Sequence, residues 1–244
     1  MKGVICRNTV ALLAVLLLLS GCGFGGGYAP VFSSGEERLA SIRLHTVRQG
    51  ETLYSIAFRY GLDYKQIADA NGIVKPYTIF ANQKLRLVRK AAPVAKKVKK
   101  STPKVAAKKS SNASPKKSQD SNIDWRWPVA GNVIKPFSLS GDINKGVDIA
   151  GRLGESVMAA ADGVVVYAGG GLRGYGKLVI VKHSDKYLSA YGHNRSIRVK
   201  EGQKIKGGQV IAEIGSSGTD REMLHFEIRR DGKPADPLIY LPDR

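Results

Sequence analysis

Cysteine is almost absent from this chain, which has two in 244 residues, Cys6 and Cys22. Cys6 lies in a leader that we expect to be removed, and we expect Cys22, just after the leader, to be chemically modified, so no pair remains for an intrachain disulfide. No apolar run reaches the roughly 20 residues that cross a bilayer, which excludes a polytopic membrane protein. Hydrophobic residues nevertheless make up 43% of the chain. This share excludes a uniformly disordered chain and suffices for one or two globular domains.

The first residues have the pattern of an export signal. Lys2 and Arg7 precede an apolar run at residues 10–19, too short for a membrane span and typical of a signal peptide. The following Leu-Ser-Gly-Cys at residues 19–22 resembles the lipobox of bacterial lipoproteins. The resemblance implies that Cys22 becomes a lipid-bearing N-terminus, although an ordinary secretory signal with a chance cysteine is the alternative. Gly23, not an acidic residue, follows, which favours the periplasmic face of the outer membrane.

Acidic residues are also scarce, with 20 Asp and Glu against 39 Lys and Arg and a formal net charge of +19. Much of the excess lies in residues 91–123, a segment of Ala, Lys, Ser and Pro with nine lysines and one acid, Asp120. This composition predicts a solvated linker. Lysine runs also occur in nucleic-acid-binding arms, but an export signal places the chain where nucleic acid is absent. Anionic wall or lipid groups are the expected partners of this charge.

Residues 45–89 predict a small βααβ unit. An apolar stripe at helical spacing and a C-capping glycine predict the first helix: Leu53, Ile56, Ala57, Tyr60 and Gly61. A capping-box variant, a second stripe and a terminal glycine predict the second: Asp63, Gln66, Ile67, Ala70 and Gly72. Residues 46–48 and 85–88 carry β-type patterning and predict the two strands.

This unit carries a family resemblance. His-Thr-Val-Arg-Gln-Gly-Glu-Thr-Leu at 45–53, Asn-Gly-Ile at 71–73 and Asn-Gln-Lys-Leu at 82–85 resemble the LysM module, which binds N-acetylglucosamine-containing glycans such as peptidoglycan. The resemblance implies a shallow sugar groove between two loops. Its positions in this chain are Gly50, Glu51, Thr52, Asn71 and Ile73. A turn glycine and two helix-capping residues would explain the same loops without a sugar.

Residues 124–244 show no helical period. Five short β-type runs separated by glycine stand out, at residues 163–168, 178–181, 187–191, 209–214 and 224–228. They predict an antiparallel sandwich or barrel-like domain, and hence an α+β multidomain chain. His45 and His183 lie at strand ends, where surface roles suffice. We divide the chain into a leader, a spacer, a βααβ module, a linker and a β domain, at 1–21, 22–44, 45–89, 90–123 and 124–244.

Three polar motifs of the β domain resemble the LytM or lysostaphin-like zinc endopeptidases. The motifs are Asn144-Lys145-Gly146-Val147-Asp148, Tyr191-Gly192-His193 and Met223-Leu224-His225. The resemblance implies that Asp148 and His225 occupy metal-ligand positions and that His193 occupies a catalytic one. Active members carry histidine where this chain has Asn144, a ligand position, and Met223, a catalytic position.

These two replacements remove the chemistry of a peptidase. A catalytic zinc takes three protein ligands drawn from imidazole, thiolate or carboxylate, and the amide of Asn144 is a neutral, weak donor. Met223 and His225 share one face of a strand, but a thioether moves no proton, and a lost general acid or base costs about 10²- to 10⁴-fold in rate. We therefore expect no peptidase activity and no metal or other cofactor. Asp148 and His225 would remain as a vestigial hydrogen-bonded pair.

A lipobox, a LysM module, a lysine-rich linker and a degenerate LytM-like domain together resemble the murein hydrolase activators. The resemblance implies a periplasmic N-acetylmuramoyl-L-alanine amidase as partner, whose autoinhibition is relieved so that septal peptidoglycan is split and daughter cells separate. A partner groove is then expected at the degenerate site, lined by Asn144, Asp148, Tyr191, His193, Met223 and His225, with Arg173 and Tyr175 at its rim. An active zinc endopeptidase and a purely structural tether to the wall are the alternatives.

Overall fold

The computed structural model describes residues 44–87 and 123–244. The predicted leader, Cys22, the spacer up to residue 43 and nearly all of the predicted linker lie outside these ranges. Within them, no helix combines the length and the apolar character that a membrane crossing requires.

The first unit is the predicted βααβ module. Its elements are β1 (Leu44–Thr46), α1 (Leu53–Tyr60), α2 (Tyr64–Asn71) and β2 (Lys84–Arg86). The two strands are antiparallel, with His45 opposite Leu85. Both strands lie one or two residues earlier than the sequence pattern indicates.

Local hydrogen bonds fix both helices of the module. The Thr52 hydroxyl accepts from the Ser55 N–H, and the Ser55 hydroxyl accepts from the Thr52 N–H, which is a reciprocal capping box. Gly61 ends α1 in the left-handed conformation, at φ 63°. Asp63 caps α2 by accepting from the Lys65 N–H.

The second unit is an antiparallel β domain. Its strands are β3 (Val133–Lys135), β4 (Val147–Ala150), β5 (Ser156–Met158), β6 (Gly163–Gly169), β7 (Lys177–Lys182), β8 (Tyr187–Ile197), β9 (Lys204–Ile205), β10 (Val210–Ile214), β11 (Met223–Arg230) and β12 (Lys233–Ala235). A short 3₁₀ turn, Pro237–Ile239, follows. Each of the five β-type runs seen in the sequence coincides with one strand, namely β6, β7, β8, β10 and β11. The antiparallel β class is confirmed.

The long strand β8 organises the sheet. The strand order is β3-β4-β11-β8-β7-β6-β9, with β10 joined to β8 and β5, and β12 joined to β11. The first half of β8 pairs with β11 and its last residues pair with β10.

Strand β11 has two different faces. Leu224, Phe226 and Ile228 point into the main hydrophobic core. Because side chains alternate along a strand, the intervening residues lie on the opposite face, which holds the polar groups analysed next. Those intervening residues are Met223, His225, Glu227 and Arg229.

Candidate functional site

Four charged side chains form a buried row across β4 and β11. His225 Nδ1 lies 2.6 Å from Asp148 Oδ1, and His225 Nε2 lies 3.1 Å from Glu227 Oε1. Arg229 Nε donates to Glu227 Oε2 over 2.7 Å. All four side chains are buried. The row alternates Asp148, His225, Glu227 and Arg229, so two negative and two positive groups compensate one another away from water.

The row keeps His225 protonated. Burial alone would lower the pKa of His225, but its hydrogen bonds to Asp148 and Glu227 raise this pKa to about 9. Burial alone would raise the pKa of Glu227, but the charge of Arg229 and the bond from His225 bring it to about 2. At neutral pH His225 is therefore a cation that donates from both ring nitrogens.

His193 is the neutral counterpart of His225. Its ring lies 5.9 Å from that of His225, between centroids, and its Nδ1–H donates to the Ser217 carbonyl over 2.8 Å. Burial lowers the pKa of His193, against the opposing effect of the Ser217 bond. The remaining nitrogen, Nε2, is therefore unprotonated. His193 has a left-handed backbone at φ 63°, an uncommon conformation for a residue other than glycine.

Asn144 is hydrogen-bonded to nearby backbone, and Met223 is buried. The amide of Asn144 donates to the Lys135 carbonyl over 3.3 Å, and its oxygen accepts from the Gly146 N–H over 3.4 Å. Met223 is buried at the start of β11. In residues 44–87 and 123–244, no three His, Cys, Asp or Glu side chains are grouped to hold a metal ion. Because the amide of Asn144 is a weak donor that is already hydrogen-bonded near its own loop, the residues present do not fit a catalytic zinc.

The predicted groove residues separate into three groups. Asp148, His193 and His225 come together as expected, and Arg173 is exposed. Tyr191 instead lies in the core, where its ring packs 5.4 Å from Phe226 and its hydroxyl accepts from the Ala160 N–H. The left-handed backbone of His193 interrupts the alternation of β8, so Tyr191 and His193 face opposite sides. We therefore omit Tyr191 from the groove.

Tyr175 lies over the charged row and not at its rim. Its hydroxyl donates to Glu227 Oε1 over 2.7 Å, and its ring centroid is 5.7 Å from that of His225. Its carbonyl accepts from the His193 N–H over 2.8 Å. Tyr175 thus connects the loop before β7 to both histidines.

Sequence reasoning missed Glu227 and Arg229. Both follow His225 at two-residue intervals along β11, on the face opposite Phe226 and Ile228. Charged residues at every second position of a strand whose other face is apolar indicate a buried ionic row when the strand is central. This was the signal available in the sequence.

Two exposed leucines next to the site were also missed. Leu139 is 59% exposed, in the loop that the backbone bridge between Ser138 and Asn144 closes. Leu153 is 52% exposed, and its N–H donates to the carboxylate of Glu222, the residue before Met223.

The predicted sugar positions of the LysM module have mixed surroundings. Glu51 accepts from the Arg48 N–H and pairs with His45 and Arg59, so its carboxylate is fully engaged. Thr52 caps α1, and Asn71 ties α2 to β2 through two hydrogen bonds with the Arg86 backbone. The sugar-binding role of these positions stays a prediction, as does that of Gly50 and Ile73.

The surface role expected for His45 is wrong, whereas His183 is half-buried. His45 is buried and contacts Tyr60 as well as Glu51. His183 is bonded through both ring nitrogens, to the Asp162 carbonyl at 2.8 Å and to the Ser189 hydroxyl at 2.7 Å. Residues at strand ends can be buried by neighbouring loops, which a local pattern does not reveal.

Known proteins resemble this chain along most of its length. The model of peptidase family M23 matches residues 142–237, and the LysM domain model matches residues 45–88. The Pseudomonas aeruginosa protein named Lipoprotein NlpD/LppB homolog is 46% identical over 94% of this chain and 90% of its own. The Escherichia coli Uncharacterized lipoprotein YgeR is 42% identical over 96% of this chain and 92% of its own. The Murein hydrolase activator NlpD of Escherichia coli is 37% identical over 82% of this chain and 68% of its own.

Proposed function

This chain belongs to the NlpD/LppB lipoprotein family, and we propose that it is a non-catalytic activator of a periplasmic N-acetylmuramoyl-L-alanine amidase. The name of the Escherichia coli relative, a murein hydrolase activator, supports an activator of peptidoglycan hydrolysis. In the cell, this activity would promote the splitting of septal peptidoglycan and the separation of daughter cells.

The residues at positions 144 and 223 carry the proposal. Asp148 and His225 keep the residue types of two metal-ligand positions, and they are hydrogen-bonded to each other over 2.6 Å. Asn144 is a weak donor bound to its own loop, and Met223 offers no proton. An active endopeptidase is therefore the less favoured function, since both of these groups would have to change together.

A domain without catalysis can still control an enzyme by binding it. An amidase with a blocking segment over its active site is mostly closed. A partner that binds the open form moves the equilibrium by the difference between its affinities for the two forms. In this chain we expect the surface for such a partner to include the exposed Leu139 and Leu153, in the loops near Asn144 and Met223.

The rest of the chain would place this surface at the cell wall. We propose that the LysM module binds peptidoglycan and that a lipid on Cys22 anchors the chain to the outer membrane, facing the periplasm. Its relatives are named lipoproteins, which agrees with such an anchor. Enrichment at the division septum would follow from the amidase partner.

Release of dye from labelled peptidoglycan tests the function. The mature chain, with Cys22→Ser for solubility, is assayed alone and with a periplasmic amidase, each with and without zinc. We expect release only with the amidase, at a rate above that of the amidase alone.

The other outcomes separate the alternatives. Zinc-dependent release by the chain alone would identify an endopeptidase and contradict the proposal. Binding to peptidoglycan with no effect on any amidase would identify a structural tether.

A further inference from the structure

The LysM module is seated on the β domain through one side of α1. Leu53, Ile56 and Ala57 face the LysM core, whereas Phe58 packs in an apolar cluster of the β domain. Phe58 is only 2% exposed, although it contributes nothing to the LysM core. A short helix with apolar residues on two sides is buried on two sides. The burial of Phe58 therefore depends on docking.

Phe58 contacts the groups that cover the charged row. Its ring lies 5.3 Å from the Tyr175 ring, edge to face, and 3.4 Å from the Arg229 guanidinium carbon. Arg229 Nη1 also donates to the Phe58 carbonyl over 2.6 Å. A continuous path of contacts thus runs from α1 through Tyr175 and Glu227 to His225.

Polar and close backbone contacts surround this aromatic centre. Arg59 Nη2 donates to the Gly171 carbonyl over 3.2 Å, and the Tyr64 hydroxyl lies 3.4 Å from Asp185. Gly232 packs so closely that a Cβ there would lie 2.2 Å from the Leu62 carbonyl oxygen. An apolar centre with a polar rim is the usual composition of a specific interface.

Part of the predicted sugar loop of the LysM module contacts the β domain. The Thr52 hydroxyl donates to the Val166 carbonyl of the β domain over 3.1 Å. Arg59, which pairs with Glu51 of the same loop, also reaches the β domain. A glycan in this loop would therefore meet the β domain at Thr52.

We propose that docking of the LysM module and binding of a glycan chain at its loop of residues 50–52 exclude one another. Peptidoglycan binding then lifts Phe58 from Tyr175 and Arg229 and uncovers this face of the β domain. The inference rests on the sugar-binding role proposed for the LysM module, and it is independent of amidase activation.

Linkage makes the inference measurable. Because docking competes with glycan binding, the apparent glycan affinity equals the affinity of the undocked chain multiplied by the fraction of chains that are undocked. A change that weakens docking must therefore tighten glycan binding, even when it lies in the other domain. Burial of a phenylalanine side chain corresponds to roughly a 10- to 100-fold change in the docking equilibrium.

Two variants on opposite sides of the interface weaken docking. Phe58→Gln removes the central ring and leaves the LysM core intact. Gly232→Ala places a methyl group against Leu62, far along the chain from the sugar loop. Gly202→Ala is the matched control, because Gly202 has φ +81° against +79° for Gly232 but nothing within 4 Å of an added Cβ.

Calorimetric titration with an N-acetylglucosamine pentamer, on the mature chain with Cys22→Ser, tests the coupling. We expect Phe58→Gln to bind the pentamer roughly 10- to 100-fold tighter than the parent chain, Gly232→Ala to bind it tighter as well, and Gly202→Ala to match the parent. Equal or weaker binding by both interface variants would overturn the coupling. Absence of binding by all four chains would overturn the sugar site itself. Amidase activation is measured separately with labelled peptidoglycan, so its failure is distinguishable from failure of the sugar site.

Discussion

At the scale of residues, the position of His225 between two carboxylates decides the chemistry of the groove. Asp148 and Glu227 each accept one of its ring protons, so the imidazole is held as a cation. His193 is held in the opposite state by burial and by the Ser217 carbonyl. At neutral pH one histidine of the groove is therefore a cation and the other is uncharged, each for a structural reason.

The raised pKa of His225 predicts a loss of stability at alkaline pH. Its folded-state pKa, about 9, lies above the ordinary value of 6.5. The stabilisation is therefore complete below pH 6.5 and is lost as the pH rises through about 9. We expect the unfolding midpoint in urea to fall between pH 7 and pH 10 more steeply for the parent chain than for His225→Gln. Other groups, such as the half-buried Lys145, whose pKa is lowered by desolvation, titrate in both chains, and parallel pH profiles would contradict the assignment.

Removal of Glu227 should be far more costly than removal of a surface carboxylate. Glu227→Gln leaves His225 and Arg229 buried without their shared counter-ion, at a cost of about 3–5 kcal/mol in the free energy of unfolding. Glu213→Gln is the control, because Glu213 pairs with Arg198 at the surface. Denaturant unfolding of both variants measures the difference. Similar losses of unfolding free energy in both variants would show that the ion pairs of the buried row contribute no more to stability than a surface pair.

At the scale of elements, α1 and β11 are each divided into two faces with different partners. On α1, the stripe that includes Leu53 and Ile56 builds the LysM core, while Phe58 belongs to the other domain. On β11, alternate residues separate the main core from the charged row. Both elements are buried on both sides, which explains why so few of their residues reach solvent.

The Thr52 cap is predicted to stabilise both α1 and its docking. Thr52→Ala removes the acceptor for the Ser55 N–H and the donor to the Val166 carbonyl. We expect a loss of about 1 kcal/mol in the unfolding free energy from the cap alone. Thr52→Ser keeps the hydroxyl and should stay near the parent chain in the same denaturant titration. A loss as large in Thr52→Ser would mean that the methyl group, and not the hydroxyl, matters.

At the scale of the whole molecule, the two domains present different surfaces. One face of the β domain is covered by the LysM module through Phe58. The loops near Asn144 and Met223 instead leave Leu139 and Leu153 exposed. A partner protein can therefore reach these loops while the module is docked.

Charge at the exposed loops should abolish activation without unfolding the chain. Leu139→Asp and Leu153→Asp each place a carboxylate on the proposed amidase surface, and we expect activation in the dye-release assay to fall roughly tenfold or more. Stability should change by less than about 0.5 kcal/mol, since both side chains are exposed.

Ile239→Asp is the matched control for these variants, because Ile239 is 78% exposed in the 3₁₀ turn after β12. It should leave activation unchanged. Full activation by both leucine variants would place the partner surface elsewhere on the domain.

The sequence by itself determined the elements and the missing chemistry. Helical spacing and capping residues predict α1 and α2, and glycine-separated β-type runs predict the main strands, because these signals are local. The motifs around Asp148 and His225 likewise predict which groups a zinc site would need, and Asn144 and Met223 stand where this prediction expects histidines.

Tertiary structure alone decided the partners of these residues. Glu227 takes the second nitrogen of His225 only because β11 is paired on both sides and covered by Tyr175. Tyr191 turns to the core because the left-handed backbone of His193 interrupts the strand alternation on which the sequence prediction depended. Phe58 is buried because two domains far apart in sequence meet, and no local pattern of hydrophobic residues encodes which surface an aromatic side chain will find.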